Sequence, residues 1–103
     1  MITFQIPGYL RTFTDGRGRV QVAEPVTTVR EALERLWVAH PGVRDRVVDE
    51  QGQVRQHVNV FVGDESIRFT GGLATPVPEG AEIWIVPAVS GGRSQKLPRG
   101  SFA

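Results

Sequence analysis

Apolar and polar residues alternate in two segments near the start of the chain, residues 2–6 and Val20–Glu24. Alternation of this kind predicts half-buried strands, and the glycine-rich segment Thr14–Arg19 between them predicts a hairpin. Later apolar runs predict three more strands, with a turn at Gly63–Ser66 between the first two of them. These runs are Val58–Val62, Ile67–Phe69 and Ala81–Pro87.

One segment carries the spacing of an amphipathic helix. Its apolar residues are Val29, Ala32, Leu33, Leu36 and Trp37. Thr28 stands before them and Glu31 follows three residues later, a pairing that predicts a capping box at the start of the helix. Pro41 and Gly42 predict its end. The next segment, Val43–His57, is irregular, with a short helical turn expected near Val43–Val48.

The predicted order of elements is β-β-α-β-β-β, which indicates an α+β fold with one main helix on one face of a mixed sheet. Pairing the first and last strands in parallel at the centre of the sheet gives the β-grasp, or ubiquitin-like, arrangement. We expect residues 1–92 to form this domain and residues 93–103 to be a flexible C-terminal extension.

Strand parity predicts an aromatic patch on the face that the helix leaves open. Asn59 is poor core material, so Phe61 shares its outward face, and Trp84 points outward because Ile83 and Ile85 point inward. Such a patch is a candidate docking surface for a partner protein. The alternative is that the irregular segment before the third strand folds over it. Arg68, expected to point outward, is a further candidate for partner docking.

The placement of charge argues against a nucleic-acid partner. The net charge is +1, but residues 1–92 carry nine Lys or Arg against eleven Asp or Glu, whereas Arg93, Lys96 and Arg99 make the tail basic. A nucleic-acid-binding domain would show a basic folded face. The absence of cysteine excludes thiolate metal sites and a cysteine nucleophile.

Other function classes also lack their usual patterns. The sequence shows no basic-then-apolar leader and no run of 18 apolar residues, so we expect a cytoplasmic protein without membrane contact. Its His, Ser and carboxylate residues form no catalytic constellation, so neither an enzyme nor a metal site is expected.

A pair of glycines, Gly91 and Gly92, follows the last predicted core residue. A chain ending at Gly92 would lose no packing, whereas one ending at the other pair, Gly71 and Gly72, would lose the final strand. Gly-Gly alone is weak evidence of function, since it also suits a linker. The surrounding block is more specific: "VNVFVGDESIRFTGGLATPVPEGAEIWIVPAVSGG", preceded near the N-terminus by "IPGYLRTFT".

On these residues the sequence resembles the ubiquitin-like sulfur carriers of the MoaD/ThiS type, and most closely their cysteine-biosynthesis branch, CysO. The resemblance implies that an E1-like enzyme adenylates the carboxylate of Gly92 with ATP and that sulfur then replaces AMP. The resulting thiocarboxylate would donate sulfur to a synthase that makes cysteine or another sulfur-containing metabolite. Ser90, Gly91 and Gly92 would form the flexible tail, and the carrier itself would bind no cofactor.

In the family, the second glycine usually ends the chain, and here eleven residues follow it. One interpretation is a pro-segment that a JAMM-type zinc metalloprotease removes between Gly92 and Arg93. A second is a cloning remnant, and a third is that the carrier role has been abandoned. Two other functions remain open: a ubiquitin-like modifier conjugated to lysines through Gly92, and a non-covalent β-grasp interaction module.

Overall fold

The computed structural model describes residues 1–88, which form five strands and two α-helices. Short 3-10 helices connect several of them. The strands and helices, in chain order, are β1 (Ile2–Gln5), β2 (Arg19–Val22), α1 (Val29–Ala39), α2 (Arg44–Val47), β3 (Val58–Val62), β4 (Glu65–Ser66) and β5 (Glu82–Pro87).

All five strands belong to one mixed sheet with the order β2-β1-β5-β3-β4. β1 and β5 pair in parallel at its centre, with Phe4 opposite Ile83, and the remaining pairings are antiparallel. The predicted fold class, α+β with a β-grasp sheet, is therefore confirmed. The carboxyl ends of β1 and β5 share one end of the sheet with the start of β3.

The predicted start of α1 is confirmed, with one difference in its capping. The Oγ1 of Thr28 accepts a hydrogen bond from the backbone nitrogen of Glu31 at 3.3 Å. In a standard capping box the glutamate would bind the backbone nitrogen of the cap residue itself. Here the Glu31 carboxylate instead accepts from the backbone nitrogen and hydroxyl of Thr27, at 2.8 and 3.0 Å.

The core lies between the sheet and α1. From the sheet come Ile2, Phe4, Val20, Val22, Val58, Val60, Ile83 and Ile85; from α1 come Val29, Ala32, Leu33 and Leu36. Ile85 is the last of these along the chain, as the sequence predicted. The predicted division after Gly92 lies outside the described residues.

The fourth strand was misplaced by the sequence. Its pattern predicted a strand at Ile67–Phe69 after a turn at Gly63–Ser66, but β4 is Glu65–Ser66 and Ile67–Phe69 is a 3-10 helix. The Oγ of Ser66 accepts a hydrogen bond from the backbone nitrogen of Arg68 at 3.2 Å, which caps that helix. A serine cap turns the chain before a longer strand can form.

Candidate functional site

The last residue whose backbone the described structure anchors is Ala88. Its amide nitrogen donates a hydrogen bond to the carbonyl oxygen of His57 at 2.8 Å, one step beyond the pairing of Pro87 with Val58. We call this point the arm root. The predicted tail residues Ser90, Gly91 and Gly92, and the processing position at Arg93, lie outside the described residues.

The distance that Gly92 can reach follows from covalent geometry alone. Gly92 is the fourth residue after Ala88. A fully extended chain of that length spans at most about 14 Å. A partner that acts on Gly92 must therefore bring its active site within that distance of the arm root, and it must contact the end of the sheet at which β5 finishes.

The outer face of the sheet, opposite α1, carries the aromatic pair that strand parity predicted. Trp84 on β5 lies directly opposite Phe61 on β3, and the register continues from Trp84 to Gln5 on β1 and from Phe61 to Ser66 on β4. Side chains at one register level share a face. The prediction that Phe61 and Trp84 lie together is correct.

The expected exposure of this pair is right for Trp84 alone. Trp84 is half-buried, but Phe61 is only 6% exposed. Phe61 is flanked at its register level by Trp84 on one side and by Ser66 on the other, because β4 begins earlier than the sequence predicted. Phe61 is therefore not part of an exposed patch, and of these two aromatic side chains only Trp84 is accessible to a partner.

Arg68 points outward as expected, and its guanidinium is bound to neighbouring neutral groups. The Nε donates to the Oδ1 of Asn59 at 3.0 Å. The Nη2 donates to the carbonyl oxygens of Val58 at 2.9 Å and Gln56 at 3.3 Å. These bonds hold the cation beside the start of β3, close to the arm root.

A groove of about 680 Å³ runs along this edge of the outer face. Phe61, Arg68, Phe69 and Ala88 are among its lining residues, so the groove includes the arm root. Phe69 is 86% exposed, although its apolar segment Ile67–Phe69 predicted a strand. Phe69 is exposed in a 3-10 helix, Ile67–Phe69, and not in a strand. Ser66, which caps this helix, is the residue from which the sequence could have predicted it.

Two negative findings apply to the part of the chain that the structure describes. No three His, Asp or Glu side chains come together there as a group that could hold a metal ion. No helix there is long and apolar enough to cross a membrane.

Comparison with known proteins identifies a family and several relatives. The ThiS family model matches residues 4–92. The sulfur carrier protein CysO of Mycobacterium tuberculosis (strain H37Rv) is 36% identical over 93 residues, covering 88% of this chain and 98% of its own.

Solved structures agree with this match. A chain in the crystal structure of the Amycolatopsis orientalis BexX/CysO complex is 38% identical, with a TM-score of 0.80 over 89% of this chain and 100% of its own. SAMP1, a small archaeal modifier from Haloferax volcanii, is 30% identical, with a TM-score of 0.68 over 88% of this chain and 98% of its own.

Proposed function

The chain belongs to the ThiS family, and on that premise we propose that it is a sulfur carrier whose working group is the carboxylate of Gly92. One observation carries the proposal: the family match ends at Gly92, four residues beyond the arm root at Ala88. In the part of the chain that the structure describes, Ile85 is the last core residue and Ala88 the last one with a backbone hydrogen bond, and Gly92 lies beyond both. Glycine suits a narrow active site because it has no Cβ.

The first step frees the carboxylate. In the full chain the carbonyl of Gly92 belongs to the peptide bond with Arg93 and offers no carboxylate oxygen. Hydrolysis of that bond consumes one water and leaves a carboxylate on Gly92 and an ammonium group on Arg93. We assign this step to a JAMM-type zinc metalloprotease, whose zinc belongs to the protease.

Adenylation then turns the carboxylate into an electrophile. A carboxylate oxygen of Gly92 attacks the α-phosphorus of ATP, and pyrophosphate leaves. Hydrosulfide next attacks the carbonyl carbon, the bond to AMP breaks, and one proton is released with the thiocarboxylate. ATP is bound and used by an E1-like activating enzyme, and the carrier supplies the group and the surface that presents it.

The outer face of the sheet is the proposed docking surface for that enzyme. Trp84 is half-buried and central, with the polar side chain of Gln5 at the same register level. An amphipathic aromatic ring within a polar surround is typical of the residues that dominate binding energy in protein interfaces. Phe61 supports the Trp84 ring from the neighbouring strand, and Arg68 lies beside it.

The final acceptor in this proposal is a synthase of the cysteine-synthase type. The thiocarboxylate sulfur is a nucleophile, and it forms a C–S bond by displacing a leaving group from an electrophilic carbon held by that enzyme. Hydrolysis of the resulting thioester consumes one water, returns Gly92 to a carboxylate and leaves the sulfur on the product as a thiol. The resemblance to CysO supports cysteine as the product class. A carrier of that name also occurs in a complex with a partner protein, BexX, in Amycolatopsis orientalis.

A second function is favoured by the likeness to a small archaeal modifier. The same acyl-adenylate can be attacked by a lysine amine instead of hydrosulfide, which joins Gly92 to another protein by an isopeptide bond. A third possibility, the non-covalent interaction module, would use the outer face and keep residues 93–103 in place.

Intact mass measurement separates these functions. A chain ending at Gly92 is incubated with an E1-like enzyme, ATP and sulfide, and the full chain serves as the matched control. The proposal expects a gain equal to the mass difference between sulfur and oxygen in the shortened chain and no change in the full chain. A ladder of heavier conjugates would instead support the modifier, and an unchanged shortened chain would overturn the sulfur-carrier proposal.

A further inference from the structure

The arm root is surrounded by arginines that come from separate parts of the chain. On one side lies a cavity of about 550 Å³, and its lining includes Arg46, Arg55 and His57. On the other side lies the groove that contains Arg68 and Ala88. The carbonyl of His57 accepts a hydrogen bond from the amide of Ala88, so the arm root lies between the two.

Neutral groups hold each of these guanidinium groups. Arg46 lies over the ring of Phe13 at 4.8 Å from its centroid, a cation–π contact. The Nε of Arg55 donates to the backbone carbonyl of Asp45 at 2.9 Å. Arg68, as described above, binds an amide oxygen and two backbone carbonyls.

Neither the ion pair of Met1 with Glu79 nor that of Arg44 with Asp45 includes one of these three arginines. Asp45 is the one acid in the lining of the cavity, and it is already paired with Arg44 at 3.2 Å. Arg46 and Arg55 therefore give this cavity a positive charge, whereas the groove beside Arg68 is also lined by Asp64 and Glu65.

The opposite end of the sheet carries acids instead. Glu82 begins β5, and Glu65 begins β4 at the level of Val62, at the far end of the groove that contains Arg68 and Ala88. Residues 1–92 are acidic as a whole, so the arginines are a local concentration that the net charge conceals. A separation of charge of this kind orients a protein as it approaches a charged partner.

We propose that Arg46, Arg55 and Arg68 form a basic collar that docks against carboxylates on the activating enzyme around the entrance to its active site. The inference rests on the proposed function. A protein surface fits better than a small anion because the collar lies on both sides of the arm. A surface that receives Gly92 within about 14 Å of Ala88 must also face the collar.

Steady-state adenylation kinetics test the collar. The probe is an E1-like enzyme that adenylates the chain ending at Gly92, assayed by ATP–pyrophosphate exchange. The test variant is R46Q/R55Q, which removes two charges, and R46K/R55K keeps the charge without the planar group. Arg68 is left intact because its bonds hold the start of β3. The control is R30Q/R35Q, two exposed arginines on α1.

The collar predicts a change in KM for the carrier with kcat unaltered. We expect R46Q/R55Q to raise KM roughly tenfold at low salt, with the lysine variant close to wild type and the α1 control unchanged. Added salt should raise the wild-type KM more steeply than that of R46Q/R55Q, because exposed charges are screened. Thermal unfolding of each variant checks that the fold is retained.

The results that would overturn the collar differ from the result that would overturn the proposed function. If R46Q/R55Q keeps the wild-type KM and salt dependence while exchange proceeds, the collar is wrong and the carrier function stands. Binding of ATP to the carrier alone, seen as NMR shifts at Arg46 and Arg55, would also overturn the collar as a protein-docking surface. If the wild-type chain supports no exchange at all, the proposed function fails and the collar fails with it.

Discussion

Trp84 on β5 and Phe61 on β3 lie directly opposite each other on the outer face of the sheet, yet only Trp84 is accessible to a partner. The two side chains therefore have different roles, one in stability and the other in contact with a partner. Phe61 is nearly covered and contributes to stability, whereas Trp84 presents the surface for contact.

Substitution of the two aromatics should separate binding from stability. Trp84→Ala should weaken binding to the activating enzyme about tenfold or more, since a central tryptophan is a typical hot spot. It should lower the free energy of unfolding by only about 1 kcal/mol, because the ring is half-buried. Calorimetric titration and urea unfolding measure the two effects. Unchanged affinity in a folded W84A chain would show that docking occurs elsewhere.

Phe61→Ala is the matched comparison on the neighbouring strand. Its ring is 6% exposed, so truncation should destabilise the fold by about 3 kcal/mol. The urea midpoint should fall well below that of the Trp84 variant. Equal midpoints for the two variants would contradict the different burial of the two rings.

Thr28→Ala should destabilise α1 by removing its N-terminal cap. The Oγ1 of Thr28 accepts from the backbone nitrogen of Glu31, and losing a cap of this type costs about 1 kcal/mol. Thr12→Ala, at an exposed position in the 3-10 helix after β1, is the control and should change little. Urea unfolding compares the two, and similar losses would argue against the cap.

Glu31 should contribute a pH-dependent part of the stability. Hydrogen bonds from the backbone and then the side chain of Thr27 lower the pKa of its carboxyl from the usual 4.5. A lowered folded-state pKa stabilises the protein above pH 4.5, and this contribution is lost as pH falls through the folded value. As the pH is lowered below 4.5, the melting temperature of E31Q should therefore fall less steeply than that of the wild-type chain.

The control for this pH effect is E34Q, one turn further along α1. The Glu34 carboxylate accepts no hydrogen bond in the part of the chain that the structure describes. E34Q should keep the wild-type slope of melting temperature against pH in the acid range. The assignment to Glu31 would be wrong if the two variants had the same slope.

Truncation should show where the fold ends. A chain ending at Gly92 should unfold at the same urea concentration as the full chain, since the core is complete at Ile85. A chain ending at Gly72 should not fold, because it lacks the central strand β5 and with it Ile83, which is 0% exposed. Circular dichroism measures both, and a cooperative transition in the shorter chain would contradict the topology.

The sequence predicted most of the fold because the needed signals are local. Alternation located β1, β2, β3 and β5 to within a residue or two, and helical spacing with Thr28 located α1. The fourth strand was missed because a strand of two residues is too short to show an alternation of apolar and polar residues. Ile67 and Phe69, two apolar residues separated by one position, have the spacing of a strand although they lie in a 3-10 helix. The glycine pair was recognised from the sequence, and its predicted role lies outside the described residues.

By itself, then, the sequence determined which residues face the core and where the last core residue falls. Both follow from periodicity, because the spacing of apolar residues indicates which face of a single strand or helix is buried. Only the tertiary structure decided that Phe61 is covered, because its cover comes from neighbouring strands. The collar likewise exists only after folding: Arg46, Arg55 and Arg68 belong to three different segments, and the topology of the sheet is what brings them to the end where the arm departs.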